Sequence, residues 1–216
     1  MTTIIATIGQ KGGVGKSTIA RLLAVEGAKR GLSVRLCDLD PGQGTSVEWK
    51  QRRDAAELDP DIAVEKCRTP QAALAYVGAC DLLVIDTPAF MDKRSLDVAK
   101  AAHTVVMPTG LSEDDLRPQV LAAYELIDKG VPADRIAYAF CRARTGGSEL
   151  EEAQRYLRTT GCAMLLPAMR EMPSVRQAHN RGGCASETGF ASVDTEARAL
   201  ADAIFTFAGV AQPTQE

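Results

Sequence analysis

The sequence predicts an α/β protein with a doubly wound, mainly parallel sheet and helices on both faces. Three observations carry that expectation. Short apolar runs alternate with segments of helical periodicity along most of the 216 residues, as in sheets whose parallel strands are joined by crossover helices. The runs are continuous rather than alternating apolar and polar, as strands covered on both faces require. Aromatic residues make up only 5% of the chain, and alanine is frequent, which suits helix-rich packing better than an all-β fold.

The elements follow in order. Residues 3–8 are a short apolar run ending at Gly9 and read as a buried strand. Residues 17–30 are helical: Ile19, Leu22, Leu23 and Val25 share one side, and Gly31 is a natural C-terminal stop. Residues 33–39 form the next strand, 45–56 a helix with Trp49 among charged residues, and 62–66 a weak strand. Thr69-Pro70 opens a helix, with threonine as N-cap and proline at the first helical position. Residues 81–86, Asp-Leu-Leu-Val-Ile-Asp, are the clearest buried strand. A helix over 95–103 and a strand over 104–108 follow. Residues 118–129 carry Val120, Leu121, Tyr124 and Ile127 at helical spacing and stop at Gly130. A strand over 135–141, a helix over 148–160, a last strand over 162–167 and helices over 173–181 and 192–208 complete the pattern. A single domain over 1–208 is expected, with 209–216 a frayed tail.

Composition narrows the function. A net charge of −3 and a pI near 5.5 carry no bulk nucleic-acid signature, so any DNA contact must come from a local patch. The six cysteines form no C-x-x-C pair, and several sit in apolar runs, where a free thiol acts as a small hydrophobe. Reduced thiols in a cytoplasmic protein are expected, rather than a disulfide frame or a zinc site. No apolar run approaches the roughly 18 residues of a membrane span. The N-terminus runs straight into a glycine loop, without the basic start and cleavage site of a signal peptide.

That loop is the chemical centre of the sequence: Gln10-Lys11-Gly12-Gly13-Val14-Gly15-Lys16-Ser17-Thr18, between a strand and a helix. Triphosphate oxygens need many donors at short range. Gly12, Gly13 and Gly15 lack Cβ atoms, so successive backbone N–H groups can turn inward, and the helix N-terminus adds its dipole. Lys16 would reach the β- and γ-phosphates, and the Ser17 hydroxyl would bind Mg²⁺. Gln10 stands where the common phosphate-loop pattern has its first glycine, but the variant K-G-G-x-G-K-[ST]-T is complete, with its extra lysine at Lys11. The alternative, a glycine-rich turn with two solvated lysines, does not account for the flanking strand and helix.

With that extra lysine the chain resembles the deviant Walker A ATPases, the group of ParA, MinD and the nitrogenase iron protein. Val34-Arg-Leu-Cys-Asp38-Leu-Asp40-Pro41 resembles their second-strand motif, Leu82-Leu-Val-Ile-Asp86-Thr87-Pro88 their Walker B segment, and Thr104-Val-Val-Met-Pro108 with 112–116 the following strand and loop. The resemblance implies ATP and Mg²⁺ as ligands and a dimer sandwiching two nucleotides. It implies that Lys11 reaches the nucleotide of the other subunit, that Asp40 orients the attacking water, that Asp86 holds Mg²⁺ through water, and that Asp38 supports the metal. The family often has Asn-Arg at the strand that meets the base; here the residues are Cys141-Arg142. Base recognition is therefore expected to rest on backbone groups after Pro167, over Met169 to Pro173, with Pro167 and Met169 as nucleotide contacts.

The resemblance narrows further to short partition ATPases such as ParF, since the loop begins at residue 10 and the segment Thr45-Ser-Val-Glu-Trp49 is similar. It implies a homodimer with ATP, non-specific DNA binding, a centromere-binding or adaptor partner, and a cytoplasmic, nucleoid-associated protein with no membrane contact. The apolar stripe Ala197, Leu200, Ala201, Ile204, Phe205 and Ala208 has no Lys or Arg after Arg198, which favours core packing over a lipid-binding helix. Arg170, Arg176 and Arg181 are the candidate DNA contacts, although 189–194 has no basic residue where such proteins often do. Related cargoes stay open: conjugative-transfer complexes, chemotaxis arrays and carboxysomes. A P-loop enzyme acting on a small metabolite is the alternative from another class, and nucleotide-dependent dimerisation separates the two. A pseudo-ATPase scaffold fits poorly with Lys16, Asp40 and Asp86 all present.

Overall fold

The structure is a computed structural model that describes residues 1–40, 45–89, 91–143 and 147–210. Seven strands, β1 (Thr3–Thr7), β2 (Val34–Asp38), β3 (Ala63–Lys66), β4 (Leu82–Asp86), β5 (Thr104–Thr109), β6 (Ile136–Phe140) and β7 (Ala163–Leu165), form one sheet in the order β3-β2-β4-β1-β5-β6-β7. Every strand pair is parallel. The helices are α1 (Lys16–Lys29), α2 (Thr45–Ala55), α3 (Pro70–Leu74), α4 (Lys93–Ala101), α5 (Glu113–Asp128), α6 (Gly147–Leu157), α7 (Pro173–Asn180) and α8 (Ala191–Phe207). None is long and apolar enough to cross a membrane.

The strands divide their side chains between two cores, which is what a doubly wound sheet demands. Ile4, Ala6, Leu83 and Ile85 face one core with residues of α4 and α5. Ile5, Leu82 and Val84 face the other, with residues of α1 and α8. Helix α1 lies very close to the sheet at Gly27, where a Cβ would be 2.7 Å from Leu82 Cδ2. The expected stripe on α8 is core: Ala197, Leu200, Ala201, Ile204 and Phe205 are all fully buried. Thr69 caps α3 as its residue type suggests, accepting the Ala72 N–H at 3.2 Å.

Two expectations change. Helix α5 starts at Glu113, not at Pro118, which lies inside it. The proline removes one helical donor, but Glu113, Asp114 and Asp115 complement the dipole of the first turn, and Leu116, Gln119 and Val120 are buried. At the start of the tail, Val210 is packed at 8% exposure, with its N–H on the Phe205 carbonyl; residues 211–216 lie outside the described residues. Trp49, whose sequence neighbours are charged, is fully buried and donates to the Gly183 carbonyl at 2.7 Å. Beside it the buried Arg53 pairs with Glu187 at 2.8 Å and also donates to the carbonyls of Asp59, Pro60 and Gly182. A buried charge needs such complete pairing, and here it ties α2 to the segment after α7.

Candidate functional site

Parallel register assembles the site at the C-terminal edge of the sheet. Asp86 is in register with Thr7 on one side and Asp38 on the other, so the three side chains leave the sheet together. The Thr7 hydroxyl donates to Asp86 Oδ1 at 3.2 Å, and the Ser46 hydroxyl to Oδ2 at 3.2 Å. Asp38, fully buried, accepts the Asp40 N–H at 2.9 Å and the Ser46 N–H at 3.0 Å. It thus fixes both the Asp40 backbone and the first turn of α2. Pro41 of this motif lies outside the described residues.

The glycine loop leaves β1 and delivers Lys16 to the first position of α1. Gly13 and Gly15 have φ of +77° and +115°, values that L side chains avoid. Space excludes a side chain at Gly15 as well: a Cβ there would lie 2.8 Å from Cys141 Sγ. Cys141 is therefore the floor under the loop. Burial pushes its thiol up to about 12, so it packs and does not react. Lys16 is 8% exposed and donates to the Lys11 carbonyl at 3.1 Å. Burial lowers its pKa, and Asp86 and Asp40 oppose that shift.

Two connected hollows open over the loop. The smaller, about 330 Å³, is lined by Gly12, Gly13, Lys16, Ser17, Asp40 and Thr87. This is a cradle of backbone and cationic donors with a carboxylate across from it. The larger, about 610 Å³, adjoins Gly15, Thr18, Cys141, Arg142, Met169 and Pro173, and Arg142 lines both. Val14 is buried at 1% exposure and anchors the loop from below. Pro167 lines neither hollow, whereas Met169 lines the larger. The Met169 N–H is committed to the Phe140 carbonyl at 2.8 Å, and its carbonyl accepts the Ala143 N–H at 3.1 Å. Met169 therefore offers a base its side chain and packing surface more than its backbone donor.

A hard cation fits beside Ser17, which lines the small hollow, and the buried Asp86. Burial raises the Asp86 carboxyl to about 6, opposed by its hydrogen bond with Ser17; the nearby Asp38 raises it further, while Arg21 and Lys16 act against the shift. Ser17 and Asp86 thus offer hydroxyl and carboxylate oxygens at one point, the donor set Mg²⁺ uses when phosphates complete its shell. Among the described residues no group of three or more His, Cys, Asp or Glu forms an all-protein metal cage.

Lys11 stands apart from this constellation. It lines neither hollow, its side chain is 48% exposed, and its ammonium lies 2.7 Å from Asp115 Oδ1. The three arginines proposed for DNA do not share one setting. Arg170 lines the larger hollow and pairs with Glu196 at 2.7 Å. Arg176 lines it and is exposed, while Arg181 is exposed and donates to the Glu187 and Thr188 carbonyls.

Sequence reasoning missed Gln10, Ser46, Asp115 and Gln119. The Gln10 side chain accepts the Met91 N–H at 2.7 Å, and its own N–H donates to Gln119 Oε1 at 3.2 Å. Gln119, fully buried, also donates to the Pro108 carbonyl. Only the departure of Gln10 from the glycine pattern was a signal for this seam.

The model of the CobQ/CobB/MinD/ParA nucleotide-binding domain matches residues 5–207. A maintenance of carboxysome distribution protein A from Gloeobacter kilaueensis is 34% identical over 180 residues, 82% of this chain and 79% of that protein. Among solved structures, apo McdA of Cyanothece superposes with a TM-score of 0.75 at 14% identity, covering 94% of this chain and all of that one. MinD of Pyrococcus horikoshii, complexed with Mg-ADP, gives 0.73 at 18% identity, covering 97% and 98%. The fold, the glycine cradle and nearly the whole length of sequence lead to one conclusion: the chain belongs to the CobQ/CobB/MinD/ParA nucleotide-binding domain family.

Proposed function

We propose that the chain is an ATP-hydrolysing positioning ATPase. Two copies sandwich two ATP molecules, the dimer binds DNA without sequence preference, and a centromere-binding or adaptor partner stimulates hydrolysis and releases it. The observation that carries this reading is the contrast between the two loop lysines. Lys16 is inside its own phosphate cradle, whereas Lys11 faces outward and lines neither hollow. A cation on this loop that does not serve its own nucleotide is available to another copy's.

In this scheme the loop N–H groups and Lys16 bind the triphosphate, Thr18 and the larger hollow receive the nucleoside, and Asp40 orients the attacking water. Lys11 of a second copy places its ammonium on the γ-phosphate, the electrostatic role an arginine finger plays elsewhere. Bound Mg²⁺, held by Ser17 and by Asp86 with support from Asp38, would neutralise phosphate charge. The larger hollow opens on the nucleoside side of the loop, through Thr18, Met169 and Pro173. A metabolite enzyme would need a substrate pocket over the γ-phosphate and no lysine acting across a dimer, so nucleotide-dependent dimerisation separates the two readings.

Lys11→Ala should therefore spare ATP binding by the monomer and lower both ATP-dependent dimerisation and hydrolysis, the latter by roughly 10³-fold or more if the lysine acts as such fingers do. Size-exclusion with light scattering, with and without ATP, reads the first. A wild-type dimer with wild-type turnover would favour the metabolite enzyme. The cargo is a plasmid or chromosome, a conjugative-transfer complex, a chemotaxis array or a carboxysome. The Gloeobacter relative, whose name concerns carboxysome distribution, supports the positioning class.

DNA binding is expected to depend on ATP and salt and to ignore sequence, with Arg170, Arg176 and Arg181 as contacts. The exposed pair Arg176 and Arg181 is the more accessible part of that set. Each lost phosphate contact should reduce the salt slope by roughly one unit, and dimerisation doubles the patch. A gel-shift on unrelated duplexes should show a weaker shift for Arg176→Ala with Arg181→Ala. An equal shift would move the DNA face elsewhere, and no wild-type shift would argue for a cargo not tethered through DNA.

A further inference from the structure

We propose that Asp115 is a positioning residue that keeps Lys11 within its own subunit, so that breaking this ion pair sets the threshold for ATP-dependent pairing of two copies. The proposal rests on the reading above, in which Lys11 acts across the dimer. The two ends of the pair are unequal. The Lys11 side chain is 48% exposed and Asp115 only 16%, at 2.7 Å separation. The ammonium can swing into solvent, and the carboxylate stays.

Asp115 is held by its surroundings. It lies in the first turn of α5, and its N–H donates to the Ser112 carbonyl at 2.9 Å. Its carboxylate packs over Gly110, where a Cβ would be 2.2 Å from Oδ2. One turn further on, Gln119 grips the start of the loop through the Gln10 N–H and holds the end of β5 through the Pro108 carbonyl. The Gln10 side chain carries the seam on to Met91, in the segment after β4. Helix α5, the loop and the Met91 segment are therefore tied together by hydrogen bonds. The Lys11 ammonium at the exposed end of the seam is the group that can change partner without disturbing it.

The exchange has an electrostatic sign. A γ-phosphate carries more negative charge than one carboxylate, so Lys11 gains by leaving Asp115 for the γ-phosphate of a facing copy. ADP has no γ-phosphate, so with ADP the lysine stays on Asp115. The pair thereby adds nucleotide discrimination to dimerisation beyond what the phosphate cradle supplies.

An exposed ion pair changes an equilibrium by about 1.4- to 5-fold. Two such pairs break per dimer, so Asp115→Asn should tighten ATP-dependent dimerisation roughly two- to twenty-five-fold on the same scale. The gain should shrink at high salt, which screens the pair, and should be absent with ADP. Asp114→Asn removes the same charge from the same turn of α5 without touching the lysine contact, and should behave as wild type. The measurement is sedimentation velocity of the full chain with a non-hydrolysable ATP analogue, at low and high salt, after circular dichroism has shown each variant folded. Asp115→Ser replaces Asp115→Asn if the latter does not fold. An unchanged or weaker dimer for the Asp115 variant overturns the proposal, as does an equal gain for Asp114→Asn or a gain that salt leaves untouched. Lys11→Ala in parallel separates the two levels. If it leaves the dimer intact, the trans-acting lysine itself is wrong. If it weakens the dimer while the Asp115 variant changes nothing, only the role of Asp115 is lost.

Discussion

Replacing Lys16 by alanine should abolish nucleotide binding at any practical concentration while leaving the empty fold intact. The ammonium is expected to make charge-assisted bonds to two phosphates, each contributing about 1.5–3 kcal/mol. Losing both weakens binding by roughly two to four orders of magnitude at about 1.4 kcal/mol per tenfold. Water is a poor substitute, because Lys16 is only 8% exposed. The empty protein has little to lose. Among the described residues Lys16 donates to the Lys11 carbonyl at 3.1 Å, and burial already works against its charge. The melting temperature without ligand should therefore stay close to wild type, and the rise that a tight ligand induces should vanish. Thermal unfolding with and without Mg-ATP tests both statements. An undiminished ATP-induced rise in the variant would mean that the phosphates sit elsewhere.

Asp40→Ala should do the opposite, keeping ATP and stopping chemistry. Asp40 lines the phosphate hollow with Thr87, across from Lys16, where a carboxylate can accept from a water aimed at the γ-phosphate. Loss of a positioned acid–base group lowers turnover by about 10²–10⁴-fold. The Asp40 N–H that donates to Asp38 at 2.9 Å is kept in alanine. Removing a negative charge beside a triphosphate does not weaken its binding, so the loss falls on kcat and not on KM. Dimers should accumulate with ATP and persist. Single-turnover phosphate release, read beside light scattering, gives the split. Turnover within about two-fold of wild type would remove Asp40 from the mechanism.

The parts of this protein that were legible in sequence share a physical origin: their causes are local. A phosphate loop needs glycines where φ is positive, as at Gly13 and Gly15, and a lysine at the start of the following helix, as at Lys16. Strands covered on both faces need unbroken apolar runs, which 82–86 shows plainly. A proline marks a helix start only where nothing before it can extend the helix; at α5 the acidic turn ahead of Pro118 carries the helix back to Glu113.

The fold class, the glycine-rich turn between β1 and α1, and the strand ends that carry Asp38 and Asp86 could thus be read from sequence. Tertiary structure alone decided what those residues touch. Lys11 and Asp115 are 104 residues apart in the chain, and Gln10 and Gln119 are 109 apart. Arg53 finds Glu187 across 134 positions, and Trp49 finds Gly183 across the same span. The register that sets Asp38 and Asp86 side by side comes from pairing β2 with β4 rather than with its neighbours in sequence alone. Propensity and periodicity act over a few residues, whereas these contacts come from packing α2, α5 and the segment after α7 onto a sheet whose strand order no local pattern encodes.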